Sequence, residues 1–228
     1  LSKKIAAGST HAVIDIPVGD TAKVRTAGDA DRLASLFTSV GAACGLQVRC
    51  INTDGSKPVG AGIGPTEEAR DVLAVLQGKQ GAPKDLRGRA ILLAGHLFDL
   101  ADGHGVKEGM NKAERLLQNG SAWAQFKRIA EAQGGLKNLG ESRFRYSVPS
   151  TESGTIVSID NRRLARVAKL AGAPASPRAG LRLLVDVGDN VTKGEPLYEL
   201  LSDSPGQQDY ALAFNNMGPA IFTVSQED

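Results

Sequence analysis

His11-Ala12-Val13-Ile14-Asp15-Ile16-Pro17-Val18-Gly19 reads as a short buried strand closed by a Pro-Val-Gly turn. Beyond it, Asp29 through Cys44 places Leu33, Leu36, Phe37, Val40 and Ala43 at helical spacing, and Gly45 is a natural C-cap. Leu46-Gln47-Val48-Arg49-Cys50-Ile51 then alternates as a second strand. One strand-helix-strand unit therefore makes the first part of the chain α/β. In the other direction, Leu1-Ser2-Lys3-Lys4-Ile5-Ala6-Ala7-Gly8 has the pattern of the closing turns of an amphipathic helix, with no start signal before it. The expectation is a fragment of a larger enzyme, with part of the active site outside this chain.

After the second strand, Asn52 to Ser56 has turn chemistry, with Asp54-Gly55 expected to supply a positive φ. A glycine loop follows, Lys57-Pro58-Val59-Gly60-Ala61-Gly62-Ile63-Gly64-Pro65, with Thr66 expected to N-cap the next helix. That helix carries Ala69, Val72, Leu73 and Leu76 on one face, and Asp85 is expected to cap another with Leu86, Ala90, Leu93 and Leu97. Lys107–Asn119 and Ser121–Gln133 read as two more helices. From Gly134-Gly135 the periodicity changes. Phe144–Val148 and Gly154–Ile159 alternate, Asn161–Leu170 is helical, and strands are expected at Leu181–Val187, Pro196–Leu201 and Ala220–Val224.

A hydrophobic fraction of 41% with 23% charged residues suits a globular chain able to bury a core, and a net charge of +2 is too small to imply a nucleic-acid partner. No apolar run approaches the roughly 20 residues that cross a bilayer, so no membrane association is expected. Cys44 and Cys50, the only cysteines, lack CxxC spacing and fit a reducing cytoplasm. His11, His96 and His104 have no metal-ligand spacing. They read as a strand-start histidine, a histidine on an apolar helix face and a solvated turn residue.

Three groups of segments stand in order: Leu1-Ser2-Lys3-Lys4 joined to Ala12–Gly19; Thr53-Asp54-Gly55-Ser56-Lys57-Pro58-Val59-Gly60-Ala61-Gly62-Ile63-Gly64 with Glu68–Leu73; and Ala122-Trp123-Ala124-Gln125-Phe126 with Gln133-Gly134-Gly135. Together they resemble one family, the thymidine phosphorylases and their pyrimidine-nucleoside phosphorylase relatives. The Ile-Pro-Val-Gly and Ile-Gly-Pro spellings are closest to the branch that includes AMP phosphorylase and the thymidine phosphorylase-like proteins related to it. Val187-Gly188-Asp189-Asn190-Val191-Thr192-Lys193-Gly194-Glu195-Pro196-Leu197 resembles a turn of barrel-sandwich hybrid domains. A carrier role there would need a modifiable lysine beside methionine or aspartate, which neither Met110 nor Met217 provides, so no organic cofactor is expected.

The resemblance implies a pentosyltransferase: phosphorolysis of thymidine to thymine and 2-deoxyribose 1-phosphate by the full-length enzyme, with phosphate as co-substrate. The alternatives are phosphorolysis of AMP to adenine and ribose 1,5-bisphosphate, or a non-catalytic oligomerisation module. It implies a cytoplasmic homodimer or higher homo-oligomer acting on a nucleoside or nucleoside monophosphate. Lys3 aligns with the family's base-binding lysine, and no catalytic residue is assigned within this chain, which is expected to be inactive alone. By position, Val59, Gly62 and Asp71 match part of a family potassium site; a tight loop packed by its glycines is the other reading of that segment. The fold expected is α/β, part of a mixed sheet flanked by helices, followed by a β-rich barrel-sandwich-hybrid-like subdomain, α+β as a whole. Its segments are 1–10 (end of a helix from a small helical domain), 11–138 (glycosyltransferase α/β domain) and 139–228 (β-rich subdomain).

Overall fold

A computed structural model describes residues 1–225; the last three positions of the expected 139–228 segment lie outside it. In chain order the elements are α1 (Ser2–Ala6), β1 (His11–Val18), α2 (Ala27–Ala43), β2 (Gln47–Asp54), β3 (Gly62–Ile63), α3 (Pro65–Leu76), α4 (Lys84–Asp102), α5 (Val106–Gln118) and α6 (Ser121–Ala132). Then come β4 (Phe144–Pro149), β5 (Gly154–Ile159), α7 (Asn161–Leu170), β6 (Gly180–Leu183), β7 (Asn190–Val191), β8 (Pro196–Ser202), α8 (Pro205–Asn215) and β9 (Phe222–Ser225). The chain divides into two compact units: Leu1–Gly55 with Leu76–Gly78 and Lys84–Gly134, and Ser56–Val75 with Lys79–Pro83 and Gly135–Asp228. The α/β-then-β-rich order read from the sequence holds, and the whole is α+β, with no closed barrel among the described residues. Segment Ser56–Val75, placed by the sequence reading in the first part, joins the second unit because β3 pairs with β6.

In the first unit, β1 and β2 run parallel from His11↔Gln47 to Val18↔Asp54, joined through α2. Thr26 caps α2 by accepting from the Asp29 backbone N–H at 3.1 Å, three residues before the expected start. The other end is closed as expected: Gly45 has φ +72, its N–H donates to Ala42 O, and the Leu46 N–H reaches back to Gly41 O. Those two bonds are a Schellman closure, for which glycine is favoured because it tolerates the left-handed conformation. β2 continues through Thr53 and Asp54, which had read as a turn. Gly55 does not supply positive φ; a Cβ there would lie 3.0 Å from the Pro17 backbone, so the glycine serves close approach. Trp123 and Phe126 stack along α6 with centroids 6.0 Å apart.

Helices α4 and α5 meet through Gly95 and Gly109, and a Cβ on Gly109 would sit 2.3 Å from the Gly95 carbonyl oxygen. Gly109→Ala gains about 1 kcal/mol of helix propensity but meets a backbone atom that cannot rotate away. Overpacking costs roughly 1–3 kcal/mol, occasionally more, so packing wins. The variant is expected to lose about 1 kcal/mol net, measured by thermal or urea unfolding.

The second unit contains two antiparallel sheets, ordered β3-β6-β8-β4 and β7-β5-β9. Leu200, Leu181, Ile156, Leu164 and Tyr198 form its core, together with Phe222 and the buried faces of α7 and α8. Helix α7 lies where its periodicity put it, capped by Asp160, whose Oδ1 accepts from the Arg162 and Arg163 backbone N–H groups. The strand expected over Leu181–Val187 instead covers Gly180–Leu183, and α8 follows β8 where the sequence reading had no element. Tyr198 is fully buried, stacks against Phe222, and donates its hydroxyl to Asn215 Oδ1 at 2.7 Å. Burial pushes its phenol pKa well upward, so it stays neutral. Tyr198→Phe keeps the ring and leaves the Asn215 amide oxygen without this donor. A loss of about 1 kcal/mol is expected in denaturant unfolding.

Candidate functional site

Lys3 belongs to the first unit, on the five-residue helix α1, which buries none of its residues. Lys3 and Lys4 are both exposed, and among the described residues no ion pair is formed by either. The Lys3 carbonyl accepts from the Ala7 N–H at 3.2 Å, which fixes the backbone while leaving the ammonium in solvent. An ammonium so placed keeps its three donors for a ligand.

The carboxyl ends of β1 and β2 carry a polar network that sequence reasoning missed. Arg89, from α4, donates through Nη1 to Asp15 Oδ2 at 3.0 Å and to Thr53 Oγ1 at 2.7 Å. Its Nη2 donates to the Asp54 carbonyl at 2.7 Å, and Thr53 Oγ1 donates to Asp15 Oδ1 at 2.5 Å. The outer edge of parallel strands at their carboxyl ends is where α/β proteins place ligands. Here Asp15 is committed to Arg89 and Thr53, so it braces the strand ends and is not a free base. An aspartate set between Ile14 and Ile16 in an apolar strand was the available signal.

The three histidines are placed apart from one another in role. His11 Nδ1 shares a 2.9 Å bond with Thr10 Oγ1. Burial lowers the pKa of His96, and the Arg49 guanidinium lowers it further against the opposing pull of Asp99, so its ring is neutral at pH 7. His104 lies at the turn into α5, beside Asp102 and Lys112. Burial raises the pKa of the Cys50 thiol, the opposite of what a reactive cysteine needs, and both cysteines are free.

In the second unit the structure brings Gly62 and Asp71 together. Asp71 Oδ2 accepts from the backbone N–H groups of Ala61 (2.8 Å) and Gly62 (2.7 Å), which pins the glycine loop onto α3. Asp71 Oδ1 accepts from Arg182 Nη2 at 3.1 Å, while Glu67 takes Arg182 Nη1 at 2.9 Å on one oxygen and Arg70 Nε at 3.0 Å on the other. Glu67 and Asp71 are 5% and 2% exposed, a depth at which a carboxylate needs partners on every side. Burial works against the Arg182 charge, but its bonds to Glu67 and Asp71 outweigh that and raise its pKa.

Val59 sits half-buried in the loop between Lys57, which is ion-paired with Asp186, and Gly60 at φ +81. Helix α3 starts at Pro65, not after a Thr66 cap. Thr66 is buried and donates its backbone N–H to Pro177 O, while Gly64 and Glu68 close the helix start reciprocally: Gly64 N–H to Glu68 Oε1 at 3.0 Å, and Glu68 N–H to Gly64 O at 2.9 Å.

A potassium ion needs oxygen lone pairs turned toward one point. Here Gly62 turns its N–H to Asp71, and both Asp71 oxygens are engaged, one by a guanidinium. Asp71 therefore has no oxygen without a donor to offer such an ion. Among the described residues, no group of three or more His, Cys, Asp or Glu side chains could hold a metal, and no helix is long and apolar enough to cross a membrane.

Residues 155–217, which span β5 to α8, match the pyrimidine nucleoside phosphorylase C-terminal domain. Across the whole chain the similarity is to "Putative thymidine phosphorylase 1" of Acidovorax sp. (strain JS42), 48% identical over 227 residues, which is 100% of this chain and 44% of that protein. It extends to the "Putative thymidine phosphorylase" of Legionella pneumophila (strain Paris), 53% identical over 211 residues, 92% of this chain and 41% of that protein. "Putative thymidine phosphorylase 1" of Cupriavidus necator (strain H16) is 51% identical over 214 residues, 94% of this chain and 41% of that protein. The chain belongs to this thymidine phosphorylase-related family. It spans less than half the length of the curated relatives it matches.

Proposed function

We propose that the protein to which this chain belongs is a nucleoside phosphorylase that cleaves thymidine with phosphate to give thymine and 2-deoxyribose 1-phosphate. The observation that carries this reading is the identity of 48–53% to thymidine phosphorylase-named relatives over nearly the entire chain. A phosphate oxygen bonds to C1′ of the sugar as the C1′–N bond breaks, and the electron pair of that bond leaves with the base. Negative charge develops on the departing pyrimidine. Lys3, an exposed ammonium with free donors, is the group of this chain suited to bind the base and stabilise that charge. The groups that hold the phosphate co-substrate come from sequence outside the 228 residues, so this chain alone is inactive. On this reading the enzyme works in the cytoplasm as a homodimer or higher homo-oligomer.

Phosphate-dependent release of thymine from thymidine by the whole protein, followed by the ultraviolet change on base release, tests the proposal. No release from any pyrimidine nucleoside would refute it. A second reading, AMP phosphorolysis, is favoured by one feature, the Ile16-Pro17-Val18-Gly19 and Ile63-Gly64-Pro65 spellings. Adenine release from AMP without thymine release from thymidine selects it.

A further inference from the structure

We propose that the Arg182 guanidinium is the resident counter-ion of the junction between the glycine loop and α3, standing in for a monovalent cation, so that the second unit holds its shape without potassium. Three observations carry this. The first is charge. Two buried carboxylates, Glu67 and Asp71, face two guanidinium groups, Arg70 and Arg182, and each of the four carboxylate oxygens has a donor between 2.7 and 3.1 Å. A further cation at Asp71 would lie beside Arg182 and be repelled by it in a region of reduced dielectric.

The second observation is delivery. Arg182 stands directly across from Gly62 in the antiparallel β3–β6 pair. A side chain on one strand is normally flanked by that of its cross-strand partner, and here the partner has none. With no side chain opposite it, the arginine reaches the two acids on α3.

The third is space. A Cβ on Gly62 would lie 2.4 Å from the backbone carbon and oxygen of Glu67. The loop is packed directly against the helix there, and the planar fork of Arg182 bridges Glu67 and Asp71, one turn apart, with one nitrogen on each. The inference concerns only residues of this unit and stands whichever nucleoside the protein cleaves.

Thermal unfolding of the protein in chloride salts of potassium, sodium and choline at equal ionic strength tests it. A potassium ion present at a hundred times its Kd would raise Tm by roughly 5–10 °C. The expected result is the same Tm in all three salts, and a potassium-specific rise of that size would overturn the proposal. Arg182→Gln is expected to lower Tm by at least about 5 °C, since two buried acids lose a charged donor. An unchanged Tm in that variant would also overturn it. Should Arg182→Gln not fold, the cation series on the unmodified protein still decides. Arg182→Lys, which keeps the charge, is expected to fold and to remain indifferent to potassium; a potassium-specific gain in this variant counts against the proposal as well.

Discussion

Lys3→Ala is expected to lower kcat/KM of the whole protein for thymidine by roughly 10²–10³-fold, the range found when one donor to a developing negative charge is removed. The same change should leave Tm untouched, because α1 buries no residue and the Lys3 side chain makes no ion pair among the described residues. That separation of activity from stability makes the experiment sharp. Lys4→Ala is the internal control: its side chain is equally exposed, one position along the helix, and its loss should cost little. Lys3→Arg keeps the charge but changes its reach and shape, and an intermediate rate is expected. Full turnover by Lys3→Ala would remove Lys3 from the base site, and a loss confined to Lys4→Ala would move the assignment by one residue.

Gly62→Ala is expected to be among the most destabilising single-methyl additions in the second unit. The new methyl would fall 2.4 Å from the Glu67 backbone, and the loop can relieve that only by lifting away from α3. Lifting stretches the bonds from the Ala61 and Gly62 N–H groups to Asp71, which are charge-assisted and buried. Overpacking and weakened hydrogen bonds together predict a loss of about 3–5 kcal/mol, or a fall in Tm on the order of 10 °C. Calorimetry should show the loss as a lowered transition temperature. A stability within about 0.5 kcal/mol of the parent would mean that the loop is free to move and that its tie to Asp71 carries little.

These two positions also show how much of the molecule could be read beforehand. The β1-α2-β2 unit was legible because strand alternation, helical spacing and a C-cap glycine agree locally, and α7 was legible for the same reason. β3 was not. Two residues in a glycine loop carry no periodicity, and their partner strand lies in the other half of the sequence. Helix α8 had a local signal, Ser204 followed by Pro205, but only Ala211 of it is buried, so the apolar stripe that marks a helix is absent. Among the site residues, Asp71 was found only through a resemblance. What it does here depends on Arg182, a pairing made by strand register. Glu67 and Asp71 at i and i+4 on one helix were a visible hint of a shared partner. Asp15 and Arg89 likewise meet only because α4 packs on β1.

The single tryptophan, Trp123, lies on α6 in the first unit, while the most deeply buried tyrosine, Tyr198, lies in the second. Nature has thus given each unit its own optical reporter. Indole fluorescence excited selectively follows only the first, and the tyrosine part of the near-ultraviolet dichroism, once the overlapping indole contribution is subtracted, follows the second, where all three tyrosines lie. Melting curves recorded through the two signals would superimpose if the units unfold together and would separate if each unfolds by itself. Every substitution described above could then be assigned to the unit it weakens without cutting the chain.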